Sequence, residues 1–90
     1  MAIEVRIPTI LRPLTGGEKA VEGSGGTLDE LLIDLDSRHS GLRARLVDDS
    51  GLRRFVNVYL NDEDVRFLGG LGTQVKDGDT VTVLPAVAGG

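Results

Sequence analysis

The residues best placed to do chemistry are the last two, Gly89 and Gly90. Four Gly-Gly pairs occur in the sequence, and the pairs at 16–17, 25–26 and 69–70 are typical of turns. The fourth pair ends the sequence and would present the α-carboxylate of Gly90 at the tip of a narrow arm, because glycine has no Cβ. Such an arm suits a carboxyl group that another enzyme activates and loads. From position alone, an ordinary frayed C-terminus remains the alternative.

The composition excludes most chemistry that side chains of this chain could perform. There is no cysteine and one histidine, His39, among 90 residues. A cysteine nucleophile, a disulfide framework and a thiolate metal site are therefore excluded, and a zinc site is disfavoured. A net charge of -4 argues against a nucleic-acid binder. The short apolar runs predict no membrane span and no signal peptide, so we expect a cytoplasmic protein.

Two charged stretches have simpler explanations than a ligand site. Asn61 and the three acidic residues that follow it lack the twelve-residue ligand order of an EF-hand and are predicted to form a solvated turn, so no metal site is expected. The arginines at positions 43, 45, 53 and 54 could steer an acidic partner, but such residues more often form a solvated face.

The first half of the chain predicts a β-hairpin followed by a helix. Residues 3–7 alternate apolar and polar types up to Pro8, and residues 19–22 form a second short strand. After the break at 23–26, Thr27 and Glu30 fit a capping box. The helix is predicted over 28–39, and its apolar stripe consists of Leu28, Leu31, Leu32 and Leu35.

The second half predicts the rest of a mixed sheet. One further helical turn is expected at residues 42–47, a strand over 55–60, a brief edge strand at 65–67, a tight turn at 76–79 and a last strand over 80–84. Strands on one side of one main helix make an α+β roll. We therefore expect one domain, residues 1–85, and a flexible tail, residues 86–90.

The two-residue period of the strands predicts a partner surface beside the tail. Val56, Val58, Leu60, Val81 and Val83 should face the helix. The opposite face should then hold an exposed, partly apolar patch, which we predict to dock a partner; it consists of Tyr59, Thr82 and Leu84. The alternative is that Leu42 or Phe67 folds over this patch and buries it.

Several segments along the chain resemble those of a known family. The turn at 76–79, the strand at 80–85 and the ending at 86–90 resemble the ubiquitin-like sulfur carriers of the ThiS/MoaD family. More narrowly, residues 7–13, 54–57, 61–67 and 84–90 resemble the actinobacterial carriers that supply sulfide for cysteine synthesis. The resemblance covers nearly the whole chain and implies a ubiquitin-like β-grasp roll.

The resemblance also implies a mechanism in which this chain is the substrate of its partners. A MoeB-like adenylating enzyme or sulfurtransferase would use ATP to convert the Gly90 carboxylate into a thiocarboxylate, with Gly89, Ala88 and Val87 threading into its channel. A pyridoxal-phosphate-dependent cysteine synthase, or another sulfur-accepting synthase, would take the sulfur, and a metallopeptidase would release cysteine. ATP and pyridoxal phosphate belong to those partners, so the chain itself is expected to be no enzyme and to bind no cofactor.

Two other functions use the same sequence features. A ubiquitin-like modifier would be conjugated through Gly90 to lysines of other proteins. A non-catalytic interaction domain would have an incidental tail.

Overall fold

The computed structural model describes residues 2–54 and 56–85. The chain begins with β1 (Ile3–Arg6), which pairs antiparallel with β2 (Ala20–Gly23), as predicted. Their connection contains a 3-10 helix, Thr9–Thr15. Proline, which is suited to the first turn of a helix, stands directly before it as Pro8.

Helix α1 (Leu28–Asp36) begins at the predicted cap. The Thr27 hydroxyl oxygen accepts a hydrogen bond from the Glu30 amide at 3.2 Å. The Glu30 carboxylate accepts from the Gly26 amide at 2.8 Å. In an ideal capping box it would accept from the amide of Thr27, the next residue. The helix ends three residues earlier than predicted. The Asp36 carboxylate accepts from the Gly41 amide at 3.0 Å, so a side chain organises the following turn in place of a further helical turn.

Two short elements follow α1. Helix α2 (Leu42–Leu46) takes the place of the single predicted turn and buries Leu42 and Leu46. Strands β3 (Val47–Asp48) and β4 (Gly51–Leu52) then form a small antiparallel hairpin.

The remaining strands are β5 (Val56–Leu60), β6 (Glu63–Asp64) and β7 (Thr80–Pro85). The main sheet has the order β2-β1-β7-β5-β6, with β7 parallel to β1 and antiparallel to β5. The predicted mixed sheet with one main helix is therefore confirmed. Strand β7 runs one residue further than predicted, to Pro85, which stands opposite Val56. Proline has no amide donor, but it can occupy the last position of a strand, where the ladder does not continue.

The edge strand predicted at 65–67 is wrong. Residues Val65–Phe67 form a 3-10 helix, and the edge strand β6 lies directly before it. The cause is local, because the Asp64 carboxylate accepts from the Arg66 amide at 2.9 Å and caps the 3-10 helix.

The core lies between α1 and the inner face of the sheet. Four leucines of α1 and alternate residues of the strands are almost completely buried there, namely Leu28, Leu31, Leu32, Leu35, Ile3, Val5, Val58, Val81 and Val83. The outer face of the sheet lies on the side away from α1. Within the described residues, no helix combines the length and the apolar character that crossing a membrane requires.

Candidate functional site at the end of the last strand

Strand β7 determines where the predicted tail leaves the domain. It lies between β1 and β5: β1 pairs with its first three residues, Thr80 to Thr82, whereas β5 pairs with it as far as Pro85, which stands opposite Val56. Gly90, Gly89, Ala88 and Val87 lie outside the described residues. Their roles in loading and threading therefore stay predictions, as does the division into a domain and a tail.

The start of β7 is held by side chains as well. The Asp79 carboxylate is buried and accepts from the Lys76 amide at 3.0 Å and from the Asn61 side-chain amide at 3.1 Å. The Asn61 side-chain oxygen accepts from the Thr80 amide at 3.0 Å. These bonds join the turn before β7 to the end of β5 and stabilise the position from which β7 runs toward Pro85.

The acidic stretch at 61–64 forms a tight hairpin turn. Asn61 and Asp62 have φ angles of +49° and +75°, the left-handed conformation that a two-residue β-hairpin turn requires. Asn and Asp tolerate this conformation better than other non-glycine residues. Among the described residues, no group of His, Cys, Asp and Glu side chains is arranged to hold a metal ion.

The three residues predicted to dock a partner do lie together on the outer face of the sheet. Tyr59 and Thr82 stand opposite each other in the ladder of β5 and β7, and both are half-buried. Leu84 stands opposite Asn57 and is 46% exposed. The geometry of the predicted patch is thus present, while its binding of a partner stays a prediction.

The alternative in which another residue covers this patch does not hold. Leu42 is fully buried in the core, and Phe67 is 88% exposed, so neither packs over Leu84. The apolar surface of Leu84 remains accessible to a partner.

Sequence reasoning missed Ile10, which is 72% exposed beside Leu84. The 3-10 helix Thr9–Thr15 turns Ile10 outward and buries its neighbour Leu11. No sequence signal separates the two residues, because this segment is too short for a helical period to show in the sequence. The 3-10 helix is therefore part of the surface beside Leu84 and Pro85.

An open groove of about 640 Å³ runs along this surface to Pro85. We call it the tail-root groove, and its walls include Arg6, Pro8, Ile10, Arg12, Lys19 and Leu84. The Arg12 Nε donates to the Ile7 carbonyl at 3.2 Å, which fixes that side chain against the wall. The groove thus combines exposed apolar surface with cations next to the point where β7 ends.

The sequence and the structure both match known proteins over nearly their whole length. The sequence profile of the ThiS family matches residues 5–90. The chain is 59% identical to sulfur carrier protein CysO of Mycobacterium tuberculosis, over 100% of both chains. It is 34% identical to small archaeal modifier protein 3 of Haloferax volcanii, again over 100% of both.

Among solved structures, the crystal structure of the Amycolatopsis orientalis BexX/CysO complex contains a chain that is 64% identical and superposes with a TM-score of 0.94. The match covers 99% of this chain and 100% of that one. The arrangement of mixed sheet and helix is accordingly the ubiquitin-like β-grasp. The chain therefore belongs to the ThiS family.

Proposed function

We propose that this chain is a sulfur carrier protein that holds sulfur as a thiocarboxylate on Gly90. The observation that carries the proposal is 59% identity to a sulfur carrier protein over the full length of both chains. The match to the ThiS family also extends to residue 90, so it includes the Gly-Gly ending. In this role the chain is a substrate of other enzymes and performs no catalysis of its own.

The proposed chemistry explains why glycine ends the chain. A carboxylate resists attack by a nucleophile, and transfer of AMP from ATP to the Gly90 carboxylate supplies a leaving group. A sulfur donor then displaces AMP and leaves the thiocarboxylate. Gly89 and Gly90 have no Cβ to obstruct the approach of either reactant, and Ala88 and Val87 extend the arm into the channel of the enzyme. The reactive sulfur is on the terminal carbonyl, so the chain needs no cysteine.

We further propose that the surface beside Pro85 holds the domain while the tail enters its partner. Exposed apolar side chains at the root of the tail, Ile10 and Leu84, support this assignment. The solved complex of BexX with the Amycolatopsis orientalis carrier, which is 64% identical to this chain, supports the existence of a protein partner. Tyr59 and Thr82 extend the same surface along β5 and β7.

The proposed partners follow from the fate of the sulfur. A MoeB-like adenylating enzyme or sulfurtransferase loads the carrier. A pyridoxal-phosphate-dependent cysteine synthase, or another synthase, accepts the sulfur. A metallopeptidase then releases cysteine and regenerates Gly90. Since ATP and pyridoxal phosphate are consumed or bound by these partners, we assign the carrier to the cytoplasm.

Intact-mass spectrometry of the protein purified from its own host tests the proposal. A fraction whose mass differs by the replacement of one oxygen by sulfur is expected, and fragmentation should assign the change to Gly90. The fraction should rise when the sulfur-accepting partner is deleted. An unmodified terminus under every growth condition would instead favour a non-catalytic interaction domain.

The second candidate function is that of a ubiquitin-like protein modifier. It is favoured by the 34% identity to small archaeal modifier protein 3 of Haloferax volcanii over the full length of both chains. This function requires an isopeptide bond between Gly90 and a lysine of another protein. Proteolysis of host proteins followed by mass spectrometry should then find lysines that carry the C-terminal residues of this chain, whereas a carrier alone gives none.

A further inference from the structure

The tail-root groove carries a charge opposite to that of the whole protein. Arg6, Arg12 and Lys19 contribute three positive charges to its walls and Glu4 one negative charge, a local balance of +2. The chain as a whole has a net charge of -4. Complementary charge across an interface steers the encounter of two proteins and disfavours wrong partners. A positive groove on an acidic protein is therefore suited to a negatively charged surface.

The cations Arg6, Arg12 and Lys19 differ in what holds their side chains, but each can pair with a carboxylate of a partner. Arg12 is half-buried and held through its Nε, so its position at the groove wall is defined. Arg6 lies 3.1 Å from Glu4, with side chains 63% and 46% exposed. An exposed pair of this kind contributes at most about 1 kcal/mol, so a partner carboxylate can replace Glu4. Lys19 is exposed and forms no ion pair with any residue in the described part of the chain.

The cations surround apolar surface. Ile10 and Leu84 line the same groove and are 72% and 46% exposed. An apolar centre with a charged rim is the usual anatomy of a protein-protein interface. A nucleic acid is a poor match, because the rest of the acidic chain would repel its phosphates.

We propose that the tail-root groove docks an acidic protein surface on the activating enzyme. That surface would have an apolar pocket for Ile10 and Leu84, with Asp and Glu side chains around it that pair with Arg6, Arg12 and Lys19. The inference rests on the proposed function, since the residues after Pro85 lead to Gly90. Pairing at the rim orients the domain so that its tail meets the entrance of the active site.

Charge reversal at the chain's two lysines tests the proposal with a matched control. Lys19→Glu reverses a charge inside the groove, and Lys76→Glu makes the same change in net charge in the turn before β7. Lys19 bonds to Ile7 of the chain beyond β1, about three residues or 10 Å along the sheet from the start of β7, and β2 lies two strands or about 10 Å across the sheet from β7. The two offsets together give about 14 Å between the backbones, which exceeds the Debye length of about 8 Å at physiological ionic strength. The two variants therefore differ in position and not in charge.

The measurement is the association rate of each carrier with the purified ATP-dependent adenylating enzyme of the same organism, across a range of salt concentrations. At physiological ionic strength, Lys19→Glu should slow association severalfold, whereas Lys76→Glu should change the rate less than about twofold; over the whole salt range Lys19→Glu should also flatten the salt dependence. Arg6→Glu serves as a second groove variant and should repeat the slowing. Thermal unfolding establishes that all three variants are folded.

Other outcomes overturn the proposal. Equal slowing by both lysine variants would mean that only net charge matters, and unchanged rates would mean that the groove does not meet carboxylates. Faster association of Lys19→Glu would mean that the groove holds the chain's own terminal carboxylate. The yield of thiocarboxylate distinguishes a failure of this inference from a failure of the proposed function. A loaded chain with unchanged rates refutes the acidic docking surface alone, whereas a parent chain that is never loaded refutes the proposed function and this inference with it.

Discussion

Truncation of Ile10 is the most direct test of the docking surface, because this side chain has much apolar area left to bury. Ile10 is 72% exposed and lines the tail-root groove beside Leu84, which is 46% exposed. If a partner covers the groove, Ile10→Ala should weaken binding to the adenylating enzyme. The domain should stay folded, since a largely exposed residue contributes little to its stability.

The exposed fractions of Ile10 and Leu84 also predict which substitution should weaken binding more. Complete burial of a Leu or Ile side chain stabilises by about 1.5–3 kcal/mol relative to the exposed state. Covering the exposed fraction of Ile10 is then worth about 1–2 kcal/mol, and that of Leu84 about 0.7–1.4 kcal/mol. Ile10→Ala should therefore raise the Kd about five- to thirtyfold, at 1.4 kcal/mol for each factor of ten, and Leu84→Ala should raise it less.

Isothermal titration calorimetry against the purified adenylating enzyme gives these Kd values. Ile33→Ala is the matched control, because Ile33 is 53% exposed but lies on α1, which covers the opposite face of the sheet. It should leave the Kd unchanged. The reasoning is refuted if Ile10→Ala binds like the parent chain, or if Ile33→Ala weakens binding to the same extent. Tyr59→Ala and Leu84→Asp extend the test along the outer face, and both should weaken binding without unfolding the domain.

Four further predictions concern the tail, the core and the helix. Deleting Gly90, or appending one residue to it, should abolish thiocarboxylate formation and leave the thermal unfolding midpoint unchanged; normal loading would contradict the assigned site. Leu31→Ala should lower the free energy of unfolding by about 2–5 kcal/mol in urea denaturation, because the side chain is fully buried. Thr27→Ala should cost about 1 kcal/mol in the same assay through loss of the cap to Glu30. Gly23→Ala should also destabilise, since its Cβ would lie 2.8 Å from the Leu31 Cδ1, and wild-type stability would mean that Leu31 can move aside.

The order of the main elements could be predicted because each depends on local pattern. Alternation at Ile3, Val5 and Ile7 defines a half-buried strand wherever that strand lies, and the two-residue period puts Val83 inside and Leu84 outside. The start of α1 is equally local, because Thr27 supplies its cap within one turn. The position of Tyr59, Thr82 and Leu84 on the outer face could be predicted for the same reason.

Predictions were wrong where a side chain competes with the backbone pattern. Residues 65–67 have the composition of a strand, but the Asp64 carboxylate caps a 3-10 helix there. The Asp36 carboxylate similarly accepts amides of the turn after α1, and the helix ends earlier than its sequence suggests. Such bonds depend on the exact direction of a side chain, which residue spacing does not encode.

The sequence by itself determined the fold class, the inner and outer faces of the strands, and the Gly-Gly ending that makes Gly90 the candidate site. Only the tertiary structure decided which residues surround the end of β7. Ile10, Lys19 and Leu84 lie far apart in the sequence and line one groove because β1 pairs with both β2 and β7. Local patterns decide which face a residue occupies, whereas strand order, a property of the whole chain, decides which residues become neighbours on that face.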